Sequence, residues 1–246
     1  MGDAIIVRGV SKRFRRYHPN RPWTFQEALL RGITLMQPTE YFWVVRNLCL
    51  RVPAGGVVGI IGRNGVGKST LLRLIAGITT PDEGSVQVQG RLGALLDLGA
   101  GFHPDLTGRE NVFITGIISG LTRHEVIRQF DAIVDFSELY DYIDNPLRTY
   151  STGMQMRLAF SIAIHAKPDV LLIDEVLAVG DYTFEAKCRE WINRFKAAGR
   201  TILIASHDLE SMRELCDEVL WLRPGEHVER GTADEVIRKY LEESLV

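Results

Sequence analysis

The 246-residue sequence predicts an α/β fold organised on a parallel core sheet, from three features. Val57-Val58-Gly59-Ile60-Ile61 is a short, apolar, β-branched run that reads as a buried strand. It leads directly into Gly62-Arg63-Asn64-Gly65-Val66-Gly67-Lys68-Ser69 and then into a helical stretch, Thr70 to Ala76, ended by Gly77. Strand, glycine-rich loop, helix is the setting in which the pattern G-x-x-x-x-G-K-[S/T] holds phosphate. Val170–Ile173 and Arg200–Ala205 are continuous apolar runs, as expected of parallel strands covered on both faces. The first of these ends in Asp174-Glu175, two carboxylates at a strand's C-terminal end, where open α/β sheets bind ligands.

The loop chemistry points to a nucleoside triphosphate. Glycines let the backbone fold tightly, so that successive N–H groups converge on phosphate oxygens. The following helix adds the positive end of its dipole. Gly62 through Thr70 are the expected nucleotide-binding residues, with Lys68 on the β- and γ-phosphates and the Ser69 hydroxyl on Mg²⁺. Asp174 is expected to hold Mg²⁺, directly or through water. Glu175 is placed to polarise a water for in-line attack on the γ-phosphorus.

Composition excludes several other classes. The chain is 46% hydrophobic and 24% charged, ordinary for a globular protein. Its net charge of −2 supplies no general attraction for nucleic acid, and no nucleic-acid partner is expected. The three cysteines, Cys49, Cys188 and Cys216, have neither paired nor metal-ligand spacing, which suits a reducing cytosol. The N-terminus has no hydrophobic signal core. No apolar run approaches the roughly 20 residues needed to cross a bilayer, so a membrane role is expected to come through a partner.

Taken in order, Ala4–Val10 reads as a strand, followed by the basic run Ser11–Tyr17. Within that run Phe14 and Tyr17 are candidates to stack on adenine, while its cations suit phosphate, anionic lipid or plain solvent. An aromatic amphipathic insert is expected at about 21–43. Thr24-Phe25-Gln26-Glu27 forms a capping box, Phe25, Ala28, Leu29, Ile33 and Met36 recur at helical spacing, and Pro38 ends the pattern. Packing on the core and docking on a partner or membrane surface both remain open for it. Trp43–Val52 and Ser85–Gln89 read as strands, and the region of about 103–166 reads as a separate helical subdomain. The tail reads as a hairpin around Pro224-Gly225 and a last helix, Thr232 to Leu241.

Tyr150-Ser151-Thr152-Gly153-Met154-Gln155 resembles the signature motif of ATP-binding cassette (ABC) proteins, usually Leu-Ser-Gly-Gly-Gln. Ser151 and Gly153 match it; Thr152 and Met154 depart from it. Ala178-Val179-Gly180-Asp181 resembles the family's D-loop, and Ser206-His207-Asp208 its switch histidine. The variant signature, the run from Gly99 to Asn111 and the aromatic insert together resemble the ATPase subunits of bacterial polysaccharide exporters of the O-antigen, capsule or teichoic-acid type. One landmark is missing: alignment on Leu106–Asn111 puts Leu98 where the family's coupling-loop glutamine stands, with Asp97 the nearest polar group and a candidate for Mg²⁺ or the attacking water.

The resemblance implies a single ABC ATPase domain over residues 1–246, with an antiparallel β subdomain and a helical subdomain beside the core sheet. It also implies a head-to-tail homodimer. The loop of one subunit would bind ATP, while Ser151, Thr152, Gly153 and Met154 of the other cap the γ-phosphate. Hydrolysis by Glu175 with His207 would separate the halves and drive integral membrane permease subunits carrying a lipid-linked glycan. The chain would then sit peripherally on the cytoplasmic face of the cell membrane. Some O-antigen members carry a further carbohydrate-binding domain, so either a type without it or a shortened chain is expected. The rival readings are the ATPase of another ABC transporter class and a soluble ABC ATPase acting on ribosomes or DNA.

Overall fold

A computed structural model describes residues 2–16, 40–96, 101–174, 182–223 and 228–244. The helix read at 24–36, the Pro224-Gly225 turn, and Tyr17, Asp97, Glu175 and Asp181 lie outside the described residues. Two sheets and a helical layer make up the rest.

The parallel sheet has the order β5 (Leu92–Leu95), β6 (Val170–Asp174), β7 (Thr201–Ala205), β3 (Val57–Ile61), β8 (Glu218–Leu222), β9 (Val228–Thr232). All its pairings are parallel except β8 with β9. Every residue of β3 and β7 is buried, which is why these strands read as unbroken apolar runs. The smaller sheet is antiparallel, β2 (Glu40–Pro53), β1 (Asp3–Arg16), β4 (Glu83–Val88).

Two differences from the sequence reading have local causes. The basic run after Val10 is not a loop: β1 continues to Arg16, pairing Arg13 with Trp43, Phe14 with Phe42 and Arg15 with Tyr41. Cation–aromatic contacts favour the extended pairing, with the Arg13 guanidinium 4.9 Å from the Tyr41 ring and 5.5 Å from Trp43. β5 escapes periodicity because it has only four residues, one of them Gly93.

Helix α1 (Lys68–Ile75) packs Leu71, Leu72, Leu74 and Ile75 into the core between the two sheets. On the other face, α5 (Tyr182–Ala197) buries Phe184, Cys188, Ile192 and Phe195. The short α6 (Leu209–Leu215) and α7 (Ala233–Ser244) complete that side. Each large apolar side chain so enclosed contributes about 1.5–3 kcal/mol. A third core joins α2 (Gly108–Ile118), α3 (Arg123–Ser137) and α4 (Thr152–His165). α4 belongs to two cores at once: Leu158 and Ile162 face the helical layer, Phe160 and Ile164 the sheet.

The helical layer is capped as well as packed. Thr107 and Thr122 each open a helix with a capping box, closed by Glu110 and Glu125. Hydrogen bonds from Thr107 and Thr122 hold those two carboxyls below their usual range. Asn111 is fully buried. Its Oδ1 accepts from His103 N at 2.8 Å, and its Nδ2 donates to the carbonyls of His103, Leu106 and Thr107 at 3.1, 3.2 and 2.9 Å. Asn111→Leu leaves the His103 N–H without its acceptor, while the three carbonyls keep backbone donors, so we expect a loss of about 1–3 kcal/mol in a urea-unfolding measurement. A midpoint within error of wild type contradicts the assignment.

Candidate nucleotide site

β3 runs in the middle of the parallel sheet, between β7 and β8, and its end delivers the chain into Gly62. A Cβ on Gly62 would lie 2.5 Å from the Leu222 carbonyl, so only glycine lets the loop leave the sheet this close to β8. Gly67 caps α1 in the left-handed region, φ 112°, and no side chain caps the helix there. That end of α1 offers its N–H groups and positive dipole end to an anion. Lys68 is buried, 6% exposed, and its Nζ donates to the Gly62 carbonyl at 2.8 Å, spanning the loop from within. Ser69 and Thr70 follow in the first turn, half-buried.

Two cavities adjoin the loop. One, about 380 Å³, is lined by Val44, Asn64, Gly65, Gly67, Lys68, Ser69 and Thr70. The other, about 430 Å³, is lined by Phe42, Trp43, Val44, Arg46 and Arg63 to Val66. They share Val44, Asn64 and Gly65. The first is polar and cationic, the second carries aromatic rings, and their order along the loop fits a phosphate chain followed by a base.

The aromatic wall is where sequence reasoning named other residues. Phe14 is 40% exposed and pairs with Phe42, ring centroids 6.3 Å apart. Among the described residues it is Phe42 and Trp43, one strand over, that line the cavity. The Tyr41-Phe42-Trp43 cluster was visible in the sequence, but its register against β1 was not.

Asp174 and His207 emerge at the same C-terminal end of the sheet as the loop. Asp174, half-buried, closes β6 and pairs with Ala205 at the end of β7. His207 stands two residues beyond Ala205, and Ser206 N donates to the Ile60 carbonyl of β3 at 3.4 Å. Because β7 lies between β3 and β6, the loop, His207 and Asp174 leave the C-terminal ends of three neighbouring strands in spatial order. Asp208 fixes the turn around His207: its N–H donates to Ser206 Oγ at 3.0 Å, and its carboxylate caps α6 by accepting from Ser211. Those Ser211 hydrogen bonds hold the Asp208 carboxyl below its usual range. Among the described residues no group of three or more His, Cys, Asp or Glu side chains could hold a metal ion by themselves. An ion here would draw its protein ligands from Ser69 and Asp174, hard oxygen donors of the kind Mg²⁺ prefers.

Ser151 caps α4, accepting from Met154 N at 3.2 Å, so Ser151 to Met154 present an exposed to half-buried helix start on the helical layer. The residue before it is anchored: Tyr150 Oη donates to the Tyr142 carbonyl at 2.6 Å, and burial pushes this phenol up to about 12. Gly108 makes room for it, since a Cβ there would fall 2.2 Å from Tyr150 Oη.

Comparison with known proteins identifies the family. Residues 45–178 match the family model described as ABC transporter. The chain is 48% identical over 244 residues to the O-antigen export system ATP-binding protein RfbB of Myxococcus xanthus, covering 98% of this chain and 56% of that protein. It is 44% identical over 224 residues to the Klebsiella pneumoniae protein of the same name, covering 91% of this chain and 87% of that protein. The teichoic acids export ATP-binding protein TagH of Bacillus anthracis is 38% identical over 241 residues, covering 98% of this chain and 43% of that protein. The chain thus spans about half the length of two of these relatives and most of the third. A dimeric structure of the ATP-binding cassette MJ0796 bound to ADP and Pi superposes with a TM-score of 0.73 at 20% identity, over 93% of this chain and 98% of that one. The chain belongs to the ABC transporter family and is one of its ATP-binding ATPase cassettes.

Proposed function

We propose that this chain hydrolyses ATP to power export of a lipid-linked polysaccharide of the O-antigen or teichoic-acid type. The observation that carries the chemistry is that the Gly62–Ser69 loop, Asp174 and His207 follow the C-terminal ends of three neighbouring parallel strands. Its relatives' export roles support the cargo. No helix among the described residues is long and apolar enough to cross a membrane, which fits a subunit working through permease partners at the cytoplasmic face.

In this reading the backbone of Gly62–Gly67 and Lys68 bind the β- and γ-phosphates, and Phe42 and Trp43 flank the base. Ser69 and Asp174 hold Mg²⁺, with Asp97 a further candidate; when bound, the ion neutralises charge on the transferring phosphoryl group. Glu175, next after Asp174, takes the proton from the attacking water. His207 faces the γ-phosphate. Ser151 and Gly153 of a second copy close over the same nucleotide, and the dimer opens when the γ-phosphate leaves.

The test is to replace the native chain in cells by a Glu175→Gln variant. Surface glycan should disappear while its lipid-linked form accumulates inside. Undiminished surface glycan overturns the export reading.

A further inference from the structure

The helix carrying the signature residues and the helix following the carboxylate strand are clamped to a common point. That point is Glu138, the residue capping the C-terminus of α3. Glu138 stands in the left-handed region at φ 59°, ψ 37°, a strained conformation for a side chain of its kind. Its carboxylate meets a cation from each of two other helices. Arg157 of α4 donates to Oε2 at 3.3 Å, and Lys187 of α5 donates to Oε1 at 3.2 Å. Lys187 also donates to the Phe136 carbonyl at 2.9 Å, so α5 supplies a positive cap for the negative end of α3.

Beneath these charges the same three helices meet through aromatic rings. Phe136 of α3 lies 6.0 Å from Phe160 of α4 and 5.7 Å from Phe184 of α5. Phe160 and Phe184 lie 6.2 Å apart edge to face and are fully buried. The Lys187 ammonium sits 4.6 Å over the Phe136 ring, and the Arg157 guanidinium 5.7 Å over Phe184. The three helices thus meet at this point through charged and apolar groups together.

The placement matters because of what these helices carry. Arg157 stands a turn and a half beyond the Ser151 cap, on the same helix as the signature residues. α4 leads into β6 with Asp174, and α5 is the next helix after it. In the head-to-tail dimer of the proposed function, on which this inference rests, a subunit's signature serves its partner's nucleotide while its Asp174 serves its own. A rigid link between α4 and α5 therefore joins the two nucleotide sites through one polypeptide.

We propose that Glu138, Arg157 and Lys187 are positioning residues that couple the two ATP sites, holding the signature helix in register with the helix that follows the carboxylate strand. None of them lines either cavity beside the loop. Removing the link should leave each site able to bind ATP but uncouple closure at one from hydrolysis at the other.

The experiment is ATPase rate against ATP concentration for the purified full chain, with ATP binding measured separately. For wild type, the dimer reading gives a Hill coefficient above 1 and no greater than the number of coupled sites. Lys187→Met should bring it to near 1 and lower kcat roughly fivefold or more, with ATP affinity little changed. Lys187→Arg should restore both, since it keeps the cation. Glu138→Gln, which keeps size and shape, should reproduce the Met effect, and the double variant should lose no more than either single one. Circular dichroism and melting curves confirm that each variant is folded; should Lys187→Met fail to fold, Glu138→Gln decides the matter. A cooperative wild type with equally cooperative, folded variants overturns the link alone. A wild type with a Hill coefficient of 1 and no ATP-dependent dimer overturns the dimer reading and the link together.

Discussion

Lys68→Ala is expected to weaken ATP binding by at least about 30-fold, because it removes a buried cation from the position facing the phosphates. Lys68 is 6% exposed, and its ammonium already lies inside the loop, donating to Gly62 O at 2.8 Å. Truncating one partner of a desolvated charge pair costs about 2–5 kcal/mol of binding, and more when the other partner carries several charges. The fold should be nearly unaffected, since loss of the Gly62 contact is offset by relief of the ammonium's desolvation. Calorimetric titration with ATP, beside a melting curve, separates the two effects. Unchanged affinity would remove Lys68 from the phosphate site.

Glu175→Gln carries the second large effect. The amide keeps the size of the carboxylate but cannot accept a proton, so turnover should fall by about 10²–10⁴-fold. ATP binding, which rests on the loop and α1, should persist. With the γ-phosphate bound and not cleaved, the two copies should stay together. Light scattering after gel filtration should then show twice the monomer mass with ATP and the monomer with ADP. Turnover at the wild-type rate would move the catalytic role to another residue.

The parts of this molecule that were legible in the sequence are those whose physics is local. The Gly62–Ser69 loop, the buried strands 57–61 and 201–205, and Asp174 at the end of β6 depend on a few neighbouring residues each. The aromatic wall depends instead on β1–β2 register: the sequence reading named Phe14 and Tyr17, whereas among the described residues Phe42 and Trp43 line the cavity. α5 left a readable trace, since Phe184, Cys188, Ile192 and Phe195 recur on one face, but the charges between them obscured it. α4 shows little amphipathicity because it serves two cores. The clamp at Glu138 joins residues from three helices and leaves no pattern along the chain at all.

Copurification from gently solubilised native membranes, followed by mass identification of what accompanies the chain, tests the central claim most directly. The account predicts an integral membrane permease in fixed ratio to this ATPase, retained in the Glu175→Gln variant and accompanied by lipid-linked glycan. A ribosome, a nucleic acid or no membrane partner would leave the ATPase standing and contradict its assignment to polysaccharide export.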